Sequence, residues 1–246
     1  MWLRVSKPIL LVSMLPGLCW GAVQLKGQQR WSGSVELAES VQITEGAILE
    51  IAPGTRVKVL AADAKLMVRG RLLVLGSAAA PVVFDAPQGW LGIEFVEAEQ
   101  DSRIEYARFA NCRKAVEVYA ASPTFRQNRF ENCEVAIDLL RESNALLEDN
   151  VFAGNGFGLR FSMRSLPTVR RNLFEHQTQA ALMASNSSGG KIEDNKFTAN
   201  EVGLSLKRPF TGEVTGNRFE NNTLGVYCFQ TRNTPLIADN LFQANE

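Results

Sequence analysis

The chemistry-bearing residues of this chain are few and spread out. Glu117, Asp138 and Arg160 stand 21 and 22 residues apart. Two acids and a guanidinium brought together could hold a cation and act on a carboxylated sugar. Arg141, Arg164, Lys207, Arg208 and Arg232 form a second group, with the aromatics Tyr119, Tyr227, Phe229 and Phe210 near them in sequence. Cationic side chains beside aromatic faces suit an extended, anionic glycan. His176 is the only histidine, so a histidine-rich metal site or a Ser-His-Asp triad with a spare base cannot be assembled. No metal site and no cofactor are expected.

These residues are positioned by a repeat. An Asn-x-Phe triplet recurs at Asn128, Asn150, Asn172, Asn195, Asn217 and Asn240, in steps of 22 or 23 residues. Such a period marks a stacked architecture in which each unit touches only its neighbours. Aligned on the asparagine, position nine holds Val116, Ile137, Leu159, Ala181, Leu204 and Val226. Position eleven holds Val118, Leu139, Phe161, Met183, Leu206 and Cys228. That spacing of two is strand periodicity. Position eight is always small: Ala115, Ala136, Gly158, Ala180, Gly203 and Gly225. No window carries a sustained helical pattern, and a leucine-dense consensus is absent.

The prediction is an all-β, single-stranded right-handed parallel β-helix of roughly ten coils, with coils about 4.8 Å apart. The asparagines should form an amide ladder and the phenylalanines an interior stack. A second polar column runs Asn155, Gln177, Asn200, Asn222, Asn245, and Cys112 and Cys133 occupy it in the two preceding coils. His176 falls just before that column and reads as a turn residue. Two positions before the asparagine, Glu105, Arg126, Glu148, Arg170 and Glu193 alternate in charge, as neighbouring rungs should. Changes in repeat length are expected only in the turn after the strand of positions nine to eleven, beside which Glu117, Asp138 and Arg160 occupy outward position ten.

Residues 1–21 read as a secretory signal, with Arg4 and Lys7 ahead of a short apolar core and cleavage near Gly21-Ala22. Leu18 is too large for the residue before a lipidated Cys19. No later segment is long and apolar enough to span a membrane. Residues 22–34 then form a lead-in, 35–101 irregular first coils, and 102–246 regular coils with the last one incomplete. The 26 basic and 26 acidic residues balance, which argues against general nucleic-acid binding. Export brings oxidising conditions, but stacked side chains hold their Cβ atoms wide for a disulfide, so Cys112 and Cys133 are expected as buried thiols. Cys228 is expected inside.

The front of the chain resembles the opening coils of bacterial secreted right-handed parallel β-helix proteins. The resemblance lies in Trp31-Ser-Gly-Ser-Val35, Ala47-Ile-Leu-Glu-Ile-Ala-Pro-Gly-Thr-Arg-Val57 and Leu66-Met-Val-Arg-Gly-Arg-Leu-Leu-Val-Leu-Gly76. It continues through Pro81-Val-Val-Phe84 and Trp90-Leu-Gly-Ile-Glu-Phe95. The Asn-x-Phe coils resemble the repeats of NosD-like periplasmic proteins and of carbohydrate-binding and sugar-hydrolysing β-helices of the pectin-lyase type. That resemblance implies an exported fold and leaves the activity open. NosD-like proteins are associated with copper-enzyme maturation, but no Cys/His/Met cluster carries that over.

The functional expectation is a scaffold or interaction protein that binds an extended polysaccharide along its basic and aromatic turn row. The alternative is a lyase-like enzyme using Glu117, Asp138 and Arg160, although two stacked acids are few for a calcium site. Also missing are the clustered aspartates of polygalacturonase-like hydrolases and the Tyr-Gly-x-Asp-Pro-His motif of alginate epimerases. The chain stops just after an Asn-x-Phe, so the expectation is either a piece of a longer protein or an end-to-end partner or second copy at the open C-terminal coil.

Overall fold

A computed structural model describes residues 22–231 and 235–246. Residues 1–21, expected as a secretory signal, and Arg232 lie outside the described residues. Thirty short strands form three parallel sheets of ten, and among the described residues there is no helix. Sheet A begins with Val23–Leu25 and ends with Leu224–Phe229. Sheet B runs from Gln28–Trp31 to Leu236–Ala238, and sheet C from Ser34–Leu37 to Leu241–Gln243. The chain visits A, B and C in turn, so every third strand pairs with its counterpart in the next coil. This is the expected parallel β-solenoid of ten coils, and stacking already begins at Val23.

The repeat positions have physical causes. Asn128, Asn150, Asn172, Asn195, Asn217 and Asn240 stack at the corner between sheets B and C. The Asn128 amide nitrogen donates to Asn150 Oδ1 at 2.9 Å and to the Ile104 carbonyl at 2.8 Å. The Asn128 backbone N–H donates to the same Asn150 oxygen at 3.0 Å. Each later rung repeats this arrangement, ending with Asn217 on Asn240. The second column does likewise at the corner between C and A, from Cys133 N–H on Asn155 Oδ1 to Asn222 on Asn245.

A sharp bend feeds each ladder residue. The residue before the first column has φ between +51° and +67° from Tyr106 to Asp239. The residue before the second has φ between +52° and +64° from Asn111 to Ala244. Left-handed backbone disfavours L-residues by roughly 1–2 kcal/mol each. The ladder bonds offset that cost by satisfying backbone groups that the bend takes out of the sheets. His176, exposed with φ +60°, is one of these bend residues, as its position in the repeat suggested.

Inside, an aromatic stack runs from Phe84 through Phe109 and the Asn-x-Phe residues to Phe242. Adjacent centroids lie 4.5–5.1 Å apart and the rings stay within 9° of parallel. Burial of each ring from Phe84 to Phe219 contributes roughly 1.5–3 kcal/mol, while Phe242 at the last rung is half exposed. The stack also explains the small residues opposite it. A Cβ on Gly158 would fall 2.8 Å from the Phe174 ring and 2.7 Å from the Ala181 carbonyl.

Two details of register differ from expectation. Leu159 pairs with Leu182 and Phe161 with Ala184, so Ala181 and Met183 are displaced from the columns assigned to them. The extra residue of that 23-residue coil enters before the sheet-A strand, between Gln177 and Ala180, where Gln179 and Ala180 both donate to the Gly156 carbonyl. Length therefore varies on both sides of sheet A. Cys228 holds its inward register opposite Leu206, yet it is exposed. It lies on the last sheet-A strand, and no described strand stacks over it.

Candidate functional site

Sheet A presents a continuous outward column across seven coils: Glu94, Glu117, Asp138, Arg160, Met183, Ser205, Tyr227. The fold thus places Glu117, Asp138 and Arg160 on consecutive rungs. They form one network with Lys114, which the sequence reading missed, and an ion pair of Lys65 with Glu94 stands on the preceding rung. Lys114 bonds to Glu117 and lies 3.4 Å from Asp138. Arg160 bonds to the other side of Asp138 and rests 5.2 Å from the centre of the Phe157 ring. Lys65 pairs with Glu94 at 3.2 Å, and the Tyr119 hydroxyl donates to Glu117 at 3.0 Å. Burial and the adjoining Glu117 carboxylate push the Tyr119 phenol up to about 12.

Lys114 was missed because it is three residues from Glu117, which a strict alternation would put on the opposite face. Ala115 and Val116 are both fully buried, and this pair of inward residues shifts the pleat. The signal was the small-then-branched pair repeated as Ala115-Val116, Ala136-Ile137 and Gly158-Leu159.

Beside this network lies a cleft of about 270 Å³, lined by Lys65, Arg113, Lys114, Glu117, Glu134 and Arg160 over Leu91 and Val135. Its charges are matched. Arg113 faces Glu134 at 3.9 Å, and Asp138, only 4% exposed, sits between two cations. A buried carboxylate without partners would cost several kcal/mol. With every carboxylate in an ion pair, proton transfer to or from one of them must first break that pair.

The basic turn row does not form a continuous track. Extending the sheet-A register places Met163 and Asn186 between Arg141 and Arg208, while Arg164 lies one position further on. Arg164 instead pairs with Glu142 at 2.7 Å, both largely exposed. Lys207 does adjoin Phe229 in register. Tyr227 and Phe229 are exposed side by side, 6.4 Å between centroids and 7° from parallel. Phe210 is not an outward aromatic. It is fully buried against Phe161, with centroids 6.4 Å apart.

On sheet B the alternating charges pair only around Glu148. Glu148, 6% exposed, receives Arg126 at 2.8 Å and Arg170 at 2.7 Å, and also bonds to Arg171. Burial pushes its carboxyl up, but hydrogen bonds from Arg171 and Arg170 outweigh this and hold it below the usual range.

The last chemical feature sits at the corner beside the cleft. Cys112 and Cys133 are free thiols, each 2% exposed, on adjacent rungs. Their sulfurs bond to the Ala110 and Glu131 carbonyls, each at 3.4 Å. Contact with the Cys133 sulfur, together with burial, pushes the Cys112 thiol up. Among the described residues, no group of three or more histidine, cysteine, aspartate or glutamate side chains is placed to hold a metal.

Residues 91–246, most of the coils just described, match the family described as periplasmic copper-binding protein (NosD). The chain belongs to the NosD family. No curated protein and no solved structure matches it. The NosD match covers every Asn-x-Phe coil, so the columns that define this fold carry the family membership. It supports a periplasmic, exported protein, and no described helix is long and apolar enough to cross a membrane.

Proposed function

We propose that this NosD-family chain is an exported binding scaffold whose sheet-A face takes an extended polysaccharide without breaking bonds in it. The observation that carries this reading is the saturation of the sheet-A charges. Lys114 bridges Glu117 and Asp138, and Arg160 completes the set. Hydrogen-bonding groups held this rigidly suit recognition of hydroxyls and carboxylates on a repeating polymer. They suit general acid–base work poorly, because a catalytic carboxylate must exchange its proton freely. The paired rings of Tyr227 and Phe229, beside Lys207, supply a flat face for a sugar ring.

The lyase-like alternative has Arg160 act on a uronate while Glu117 and Asp138 hold a cation, and it requires those ion pairs to open when substrate arrives. A polysaccharide binding and turnover screen on the mature protein separates the two. Retention of a glycan without new chain ends supports the scaffold. Steady release of shorter chains, abolished by Arg160→Ala, would establish the enzyme. Retention unaffected by changing Tyr227, Phe229 and Arg160 together would remove sheet A as the site.

The family's description also makes copper a candidate ligand for this chain. A multi-ligand copper site does not fit the described residues, since no three suitable donors gather. The adjoining soft donors are Cys112 and Cys133.

A further inference from the structure

We infer that the cleft beside the sheet-A network is the subsite for one uronic acid unit of the bound polymer, with Arg113 gripping its carboxylate. This rests on the polysaccharide reading above and names the sugar class which that reading leaves open. Four cations face the cleft, Lys65, Arg113, Lys114 and Arg160, against the two carboxylates of Glu117 and Glu134. The acids that balance Lys65 and Arg160 are Glu94 and Asp138, and neither lines the cleft. A group entering it therefore meets an excess of positive charge at close range. Walls of protein focus that field onto the ligand.

The four cations are not equally available. Lys65 is held by Glu94 at 3.2 Å, and Arg160 bonds to Asp138. Lys114 bonds to Glu117 and lies 3.4 Å from Asp138. Among the described residues, Arg113 has a single ion-pair partner, Glu134, and its Nε stands 3.9 Å from that carboxylate. This is too long for a hydrogen bond. The two side chains are 67% and 66% exposed, so moving Glu134 aside costs little. A guanidinium offers paired N–H groups that match the two oxygens of a planar carboxylate. Arg113 can make that forked contact with a ligand, while its neighbours are committed to acids of the protein.

Size and floor fit one ring. A volume of about 270 Å³ lies just below the usual range of small-molecule sites, roughly 300–1,000 Å³, so a single sugar unit fills it. Leu91 and Val135 give apolar surface for the C–H face of that ring. Each lysine ammonium carries three donors, so Lys65 and Lys114 keep N–H groups for hydroxyls beyond their own ion pairs. Glu134 works in the opposite sense, because it repels an incoming carboxylate.

The opposed signs of Arg113 and Glu134 give the test. The probes are polygalacturonate and polymannuronate, each beside its methyl ester, which keeps the backbone and removes the charge. Wild type should retain at least one of the acids and prefer it to its ester. Arg113→Gln should weaken retention of the acid roughly tenfold or more, as loss of a charge-assisted hydrogen bond does, and bring it level with the ester. Arg113→Lys, which keeps the charge without the fork, should fall between. Glu134→Gln should tighten binding. Arg108→Gln removes the same charge from an exposed position on sheet C and should change nothing. All four side chains changed or compared here are solvent-facing, and far-UV spectra check that each variant keeps the fold.

Equal retention of acid and ester by wild type would overturn the subsite and leave the scaffold reading standing. So would equal losses in Arg113→Gln and Arg108→Gln, or weaker binding in Glu134→Gln. Displacement by a sulfated dextran as readily as by free uronate polymer would overturn the carboxylate assignment. Retention of no glycan at all would overturn the scaffold reading and the subsite together.

Discussion

Replacing Asn172 with alanine tests a buried rung in the middle of the ladder. The Asn172 side chain takes part in five hydrogen bonds. Its oxygen accepts from the Asn150 backbone N–H and amide, both at 2.9 Å. Its amide donates to the Leu147 and Arg170 carbonyls and to Asn195 Oδ1, each at 3.0 Å. Truncation leaves some partners with a second bond: Asn150 Nδ2 keeps the Phe125 carbonyl, and Asn195 Oδ1 keeps the Asn172 N–H. The Asn150 N–H loses its ladder acceptor. An orphaned buried group costs about 1–3 kcal/mol and each other neutral bond about 1, so partial retention gives a total near 3–5 kcal/mol. For a domain of this size that lowers the melting temperature by roughly 6–20 °C.

The comparison that isolates burial is Asn240→Ala, at the last rung. Asn240 makes four bonds of the same kind, but it is only partly buried, so water replaces much of what is lost and the cost should be near 1 kcal/mol. Urea titration by far-UV circular dichroism measures both variants, and hydrogen exchange should show the Asn150 amide opening faster in Asn172→Ala. Asn172→Asp offers a further check. It keeps the acceptor, loses the donor and points a carboxylate at two carbonyls, so it should cost at least as much as alanine. The reasoning is refuted if Asn172→Ala stays within about 1 kcal/mol of wild type, or if the two rungs cost the same.

Two further outcomes follow from the columns. Gly158→Ala should destabilise by about 1–3 kcal/mol in a thermal melt, although alanine occupies the equivalent site in other coils, because its Cβ would meet the Ala181 carbonyl at 2.7 Å. A neutral result would mean that the coil shifts to make room. Glu148 contributes through a depressed carboxyl, so its stabilisation is fully present above its ordinary value of 4.5 and fades as pH falls through the lower folded value. Between pH 7 and pH 3 the urea midpoint of wild type should drop further than that of Glu148→Gln; equal drops would remove Glu148 from the acid response.

Much of the fold was legible because a solenoid repeats its physics. Each Asn-x-Phe places an amide at a bend and a ring inside, so one coil read correctly predicts the next. Legibility failed where a column was shifted or ended. Ala181 and Met183 were misassigned because the added residue before Ala180 cannot be placed by counting from the asparagine. Cys228 has the right register and the wrong burial, since burial depends on what stacks above it. The site was harder to read. Glu117, Asp138 and Arg160 follow from the period, but Lys114 joins them only through the doubled inward pair Ala115-Val116. Arg141, Arg164 and Arg208 looked like a row because sequence proximity to a turn does not say which turn position each residue occupies.

These failures share a cause that bears on function. In a stacked coil every position is a column, and its default role is to continue the column. A polar residue that continues one, such as Asn172 or Arg170, is accounted for by structure. Function is better sought where a column breaks without loss of packing. Three breaks meet at one corner. Trp90, fully buried and bridged to Cys112, replaces the ladder residue one coil earlier. Cys112 and Cys133 then replace it twice more. Beside them Lys114 crosses from its own rung to bind acids on two. An aromatic, two thiols and an ion-pair network thus lie within a few coils of one cleft, while the amide ladder runs unbroken from Asn155 onward.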